Sequence, residues 1–203
     1  DAQSNQRVRR ALEKCVRKIE RNQQQDGSWN MSGGWAPILG TSMASRSLDM
    51  ARTKGVPVQA ASIAMVDAYT RKAQASGSRD AAAGVSLYQN AQALEQLSRT
   101  EKDRAQNAPE IRSITNQLAD ARFVNGFGSM GGEEFFSYLN ISDSLHRTGG
   151  PEWNKWNNQI KTQLARLQNE DGTWAGHHCI TGRVAVTSAA IMTLRAENDA
   201  VRK

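Results

Sequence analysis

Three features predict an all-α fold of about four helical hairpins. A seven-residue phrase, Gln-x-x-Asp-Gly-(Ser or Thr)-Trp, occurs twice, as Gln23 to Trp29 and as Gln168 to Trp174, at an offset of 145 residues. An amphipathic helical pattern precedes each copy, and a second helical segment follows it. No run alternates apolar and polar residues for long, as a half-buried strand would. Self-similarity at a fixed spacing fixes an architecture before any residue has a role. The offset of 145 divides into three steps of about 48, so two degenerate hairpins are expected between the legible copies.

The elements follow in order. Val8, Ala11, Leu12, Cys15, Val16 and Ile19 fall at i, i+3, i+4, i+7, i+8 and i+11, one stripe of a first helix. The phrase then ends it. Gly27 can take a positive φ, Asp26 can bond nearby backbone N–H groups, and Trp29 can cover the helix end while its N–H reaches a carbonyl. Gln23, one turn earlier, can bridge to the next repeat. A Gly-rich loop, Gly33 to Gly40, leads into a helix from about Thr41. Its backbone N–H groups could hold an anion, but a structured rim loop is the expected reading. A third helix is expected near Val58 to Ala75, then Ser76-Gly77-Ser78 and a helix from about Val85. The polar stretch Arg99 to Glu110 reads as a connection. A helix near Ala108 to Arg122 is followed by Gly126 to Gly132 and a helix from Glu133. Trp153, Trp156, Ile160, Leu164 and Leu167 mark the next helix. The second phrase (Gln168, Asp171, Gly172, Trp174) and a last helix near 183–197 complete the set. The repeats run about 4–54, 57–101, 104–148 and 151–198, within one expected domain over 1–203.

The chain has 203 residues, 38% hydrophobic, with 26 Lys and Arg against 20 Asp and Glu. Much of the excess sits in the first helix, where Arg7, Arg9, Arg10, Lys14, Arg17, Lys18 and Arg21 face only Glu13 and Glu20. Such a helix suits an anionic partner, or simply forms a solvated outer face. No aromatic residue is interleaved as a base-stacking platform would require, and no specific nucleic-acid motif occurs. No stretch approaches the ~20 apolar residues of a membrane span. The start at Asp1, without Met, tilts the expectation toward an exported protein, periplasmic or at the cell surface.

With these residues in view, the two phrase copies resemble the repeat of squalene and oxidosqualene cyclases and of protein prenyltransferase β subunits. The run Gln168 to Leu194, containing Gly176-His177-His178-Cys179-Ile180-Thr181-Gly182-Arg183, looks like bacterial "prenyltransferase and squalene oxidase repeat" proteins of undefined activity. The resemblance implies an α/α toroid, or an open toroid-like solenoid, with inner helices near 41–54, 85–100, 133–148 and 183–197. Class II cyclases carry an Asp-x-Asp-Asp acid motif, and prenyltransferases hold zinc through Asp-x-Cys and a distant His. Neither pattern is present here. The nearest carboxylate pair is Glu133-Glu134, and His177-His178 precedes Cys179 without an Asp. The Cys-Gly-Glu-Gln run of thioester domains is absent as well.

Two local constellations stand out. His177, His178 and Cys179 are zinc-ligand types in the loop entering the last helix, but adjacent ligands rarely reach one metal, and loop packing beneath Trp174 accounts for them too. Glu133 and Glu134 begin a helix, where acids complement the dipole. Beside Phe135, Phe136 and Tyr138 one of them could instead be a general acid facing a cavity. Asp143 and His146 are i, i+3 neighbours able to pair. Cys15 takes the place that Ile160 holds in the last repeat, which predicts a buried thiol; a Cys15–Cys179 disulfide is the alternative. Asn140-Ile141-Ser142 matches a glycosylation acceptor but falls mid-helix. The expected function is a non-catalytic binding or assembly module of a larger complex, with no catalytic residue and no cofactor, zinc being the nearest candidate. The alternative is an isoprenoid-handling enzyme or binder.

Overall fold

The all-α character expected from the sequence is realised among the described residues. In the computed structural model, which describes residues 2–29, 37–75, 83–125, 131–178 and 180–198, the described residues form helices and turns and contain no strand. Gly33 to Ala36, Ser76 to Ser78, Gly126 to Met130 and Cys179 lie outside the described residues. The helices are α1 (Ala2–Arg21), α2 (Pro37–Thr53), α3 (Ala60–Ala75), α4 (Ala83–Leu97), α5 (Glu101–Gln106), α6 (Ala108–Gln117), α7 (Ala121–Val124), α8 (Gly132–Thr148), α9 (Gly150–Leu167) and α10 (Arg183–Leu194), followed by a 3-10 turn, Ala196–Asn198.

Two local details depart from the sequence expectation. The Arg99 to Glu110 connection contains a helix, α5, because Thr100 and Asp103 form a reciprocal cap. The Asp103 N–H donates to Thr100 Oγ1 at 3.1 Å, and the Thr100 N–H donates to Asp103 Oδ2 at 3.0 Å. The helix expected to run to Arg122 breaks after Gln117, and Asp120 caps a new turn by accepting the Arg122 N–H at 2.9 Å.

The chain divides into two compact units, residues 1–78 and 79–203. The division falls inside the repeat expected over 57–101, between its two helices. In the first unit Val16, Trp29, Leu48, Val56 and Val66 form the core, with Ile19, Ala44, Ala51, Val58 and Ile63 packed around it. Full burial of an aliphatic or aromatic side chain of this size contributes roughly 1.5–3 kcal/mol.

In the second unit α8 is central and packs against α4, α9 and α10. Trp156 of α9 donates its indole N–H to Ser142 Oγ at 2.8 Å, and the Tyr138 hydroxyl donates to Val124 O at 2.8 Å. The Phe135, Tyr138 and Trp156 rings meet in sequence as tilted pairs, with centroids 6.0 and 6.2 Å apart. Asn140 lies in the middle of α8 and is buried, which removes it from any glycosylation chemistry.

Cys15 departs from the expectation of a buried thiol: it is exposed. Val8 and Leu12 of the same stripe are exposed too, while Val16 is buried. The stripe of α9 is covered because α8 packs on it, and Trp153, Trp156, Ile160 and Leu164 are buried there. Among the described residues no helix covers the Val8 to Cys15 end of α1 in this way.

Candidate functional site

The phrase builds the same local structure twice. Its dipeptide turn is closed by the Gly27 N–H donating to Gln24 O at 2.9 Å and, in the second copy, the Gly172 N–H donating to Asn169 O at 2.9 Å. Both glycines have positive φ, +91° and +79°. Asp26 Oδ1 accepts the Ser28 N–H at 2.9 Å, and Asp171 Oδ1 accepts the Thr173 N–H at 3.1 Å. The Gln23 amide donates to Gly27 O at 3.1 Å, and the Gln168 amide to Gly172 O at 2.8 Å. The Trp29 indole N–H donates to Ile19 O at 2.7 Å, and that of Trp174 to Leu164 O at 2.8 Å. These carbonyls belong to the last turns of α1 and α9, and Ile19 O also accepts the Asn22 N–H at 3.1 Å. The Trp29 and Trp174 backbone N–H groups donate to Thr41 Oγ1 and Thr187 Oγ1 at 3.1 and 3.0 Å. Each phrase therefore staples the end of one helix to a threonine on the next. The Thr hydroxyls carry no weight in the sequence reading; their signal was a Thr-Ser dipeptide recurring at a matched place.

The copies differ in what lies on top of them. Gln23 also donates to Ser62 O of α3 at 2.9 Å, and the Gly27 backbone presses on α3. A Cβ at Gly27 would collide with the Met65 carbonyl, 2.7 Å from its carbon. At Gly172 the nearest atom to such a Cβ is Gln168 Nε2, at 3.9 Å. Among the described residues no helix covers the second copy, and Gln168 has no second acceptor. Asp171 instead pairs with Arg183 on the rim of α10.

Hydrogen bonds from Ser28 hold the Asp26 carboxyl below the usual carboxylate range, and those from Thr173 do the same for Asp171, helped by Arg183. A depressed folded pKa stabilises the fold above the ordinary carboxylate value of about 3.9 and loses that contribution as pH falls through the folded value. Thermal melts between pH 5 and pH 2 should show a declining midpoint whose slope is shallower in Asp26→Asn and Asp171→Asn. An unchanged slope in both variants would remove this electrostatic role.

The acidic pair on α8 meets the histidine loop. Glu133 and Glu134 are fully buried. Glu134 Oε2 accepts the Gly131 N–H at 2.9 Å, and its Oε1 accepts the Tyr88 hydroxyl at 3.2 Å. Glu133 Oε2 accepts the Ile180 N–H at 3.3 Å, and its Oε1, without a hydrogen-bond partner, faces His178 Nδ1 at 3.8 Å. Gly131, Gly132 and Gly176 permit this approach. A Cβ on Gly176 would collide with Ile180 O and lie 2.5 Å from the Gly132 nitrogen, and one on Gly131 would lie 2.5 Å from His178 Cε1. Two constellations that are separate in sequence thus become one latch, fastening the 176–180 loop onto the N-terminus of α8. The Gly131-Gly132 dipeptide before the acids is the available sequence signal for such a close approach.

The other candidates lie apart. Burial pushes the Tyr138 phenol well above its usual pKa, with Glu134 adding to the effect. His146 packs against Trp153 with tilted rings whose centroids are 5.0 Å apart, and His177 is exposed. Among the described residues, no three His, Cys, Asp or Glu side chains converge as a metal set, and no helix is long and apolar enough to cross a membrane.

Comparison of the chain with family models, curated proteins and solved structures returned no match.

Proposed function

We propose that the chain is a non-catalytic binding and assembly module of a larger complex, built on a helical repeat of the squalene-cyclase and prenyltransferase kind. The observation that carries this reading is the second staple. It has the hydrogen bonds of the first, but the helix that the first one holds has no counterpart on it. A repeat array buries its core by stacking neighbours, so a staple with no helix on it is a seat for another helix. The adjoining face of α10 agrees. Val184 is 83% exposed, and Ile191 and Met192 are each 45% exposed. Ser188 and Ile191 are open, while their counterparts in α2, Ser42 and Ser45, are buried. Apolar side chains grouped on one exposed helix face suit a partner.

Glu134 supports the same reading, because both its carboxylate oxygens are occupied, by the Gly131 N–H and the Tyr88 hydroxyl, and Glu133 Oε2 accepts the Ile180 N–H; Glu133 Oε1 alone has no hydrogen bond. The isoprenoid-handling reading has to turn one of those carboxyls toward a ligand.

The test is quantitative co-purification of the tagged chain from its native source, beside an Ile191→Glu/Met192→Glu variant. Exposed substitutions of this kind change stability by roughly 0.5 kcal/mol or less, so the fold is retained. The expected result is a stoichiometric partner whose recovery falls at least about tenfold in the variant, as the loss of two apolar anchors predicts. An identical set of co-purifying proteins with both chains, or none with either, overturns the proposal.

A further inference from the structure

The basic residues of α1 are sorted onto one side of the helix. At 3.6 residues per turn, Arg7, Arg10, Lys14, Arg17, Lys18 and Arg21 fall within a sector of about 100°, free of acids. Glu13 and Glu20 lie outside it. Lys14, Arg17, Lys18 and Arg21 line a groove of about 590 Å³ with Glu20 and Gln59. All four cations are exposed, and none has an acidic partner among the described residues. The one carboxylate in the groove is already engaged: Glu20 accepts the Gln59 backbone N–H at 2.7 Å and its side-chain amide at 3.3 Å. Arg9 and Arg52, by contrast, pair with acids on their own helices, Arg9 with Glu13 at 3.4 Å and Arg52 with Asp49 at 2.7 Å.

We propose that this groove docks an acidic helical segment of a partner protein, its carboxylates matching the row Lys14, Arg17, Lys18 and Arg21. Three observations select that occupant. The row has i, i+3, i+4, i+7 spacing, so a second helix carrying Glu at the same intervals presents its charges at the same axial rise, about 1.5 Å per residue. The groove walls are the aliphatic stems of long side chains, which pack against the methylenes of Glu and Leu, and a sugar–phosphate strand offers less to bury there. No aromatic residue lines the groove to stack a base. A lipid surface fits less well. The exposed apolar stripe of Val8, Leu12 and Cys15 is centred about 140° from the basic sector, so a flat membrane cannot engage both. The groove shares no residue with the α10 face, and its test leaves the outcome of the co-purification untouched.

The experiment is fluorescence anisotropy with the full chain at 150 mM NaCl. The probes are an alanine-based helical peptide bearing four Glu at i, i+3, i+4 and i+7, its Gln counterpart, and a 15-base-pair DNA duplex. Each exposed ion pair contributes about 1.5- to 5-fold in affinity, so the Glu peptide should bind measurably better than the Gln peptide. Lys14→Glu/Lys18→Glu should weaken Glu-peptide binding about tenfold or more, while Lys102→Glu/Arg112→Glu, exposed positions on α5 and α6, should leave it within about twofold. Circular dichroism confirms that both variants stay folded. Equal binding of the two peptides, tighter binding of the duplex than of the Glu peptide, or equal losses in the two variants would each overturn the proposal.

Discussion

Gly27→Ala is expected to destabilise the chain by about 3 kcal/mol or more, whereas Gly172→Ala costs about 1–2 kcal/mol. Both glycines have positive φ, so a side chain brings the same left-handed strain to each. The difference comes from the neighbour. A Cβ at Gly27 would meet the carbonyl group of Met65 and approach the Val66 nitrogen to 3.2 Å. These are backbone atoms of α3, which cannot rotate aside as a side-chain end can. The helix must shift, and the Gln23 bond to Ser62 O is lost with it. At Gly172 the added carbon meets open space. Urea or thermal unfolding of the two variants checks this directly, and equal losses would mean that α3 does not rest on the first staple.

Arg99→Met should cost about 3–5 kcal/mol, the range for leaving one partner of a buried ion pair alone. Arg99 grips Glu95 through Nε to Oε1 at 3.0 Å and NH2 to Oε2 at 3.1 Å, with side chains only 6% and 3% exposed. Removing the guanidinium strands a carboxylate that α4 has withdrawn from water. The double variant Glu95→Met/Arg99→Met removes both charges, and most of the loss should be recovered. A double variant as unstable as the single one would show that Arg99 acts through packing rather than charge.

The positions of α1 and α9 are legible in the sequence because their apolar period is local. Val8 to Ile19 and Trp153 to Leu167 announce α1 and α9 by spacing alone. The staple is legible for the same reason: Asp, Gly and Trp each have a narrow set of uses within a few residues of a helix end. The short helices are hidden, since α5 and the break before α7 depend on side-chain caps at Thr100, Asp103 and Asp120 rather than on a period. Cys15 misleads because matching it to Ile160 assumes that both stripes are covered alike, whereas α8 packs on the α9 stripe and the Val8 to Cys15 end of α1 is exposed among the described residues. The meeting of Glu133 with His178 is hidden for a different reason. It joins residues far apart in the chain through a loop that sits down only because Gly131, Gly132 and Gly176 have no side chains.

The central claim is that one phrase makes one staple twice, covered by a helix in the first copy and open in the second. Native-state hydrogen exchange measures this most directly. The indole N–H groups of Trp29 and Trp174 should both be protected, because each is held by a helix-end carbonyl. The backbone N–H of Gly27, buried under α3, should exchange much more slowly than that of Gly172, which makes the same bond while exposed. An unprotected Trp174 indole would contradict the shared staple, and equal protection of Gly27 and Gly172 would contradict the open seat.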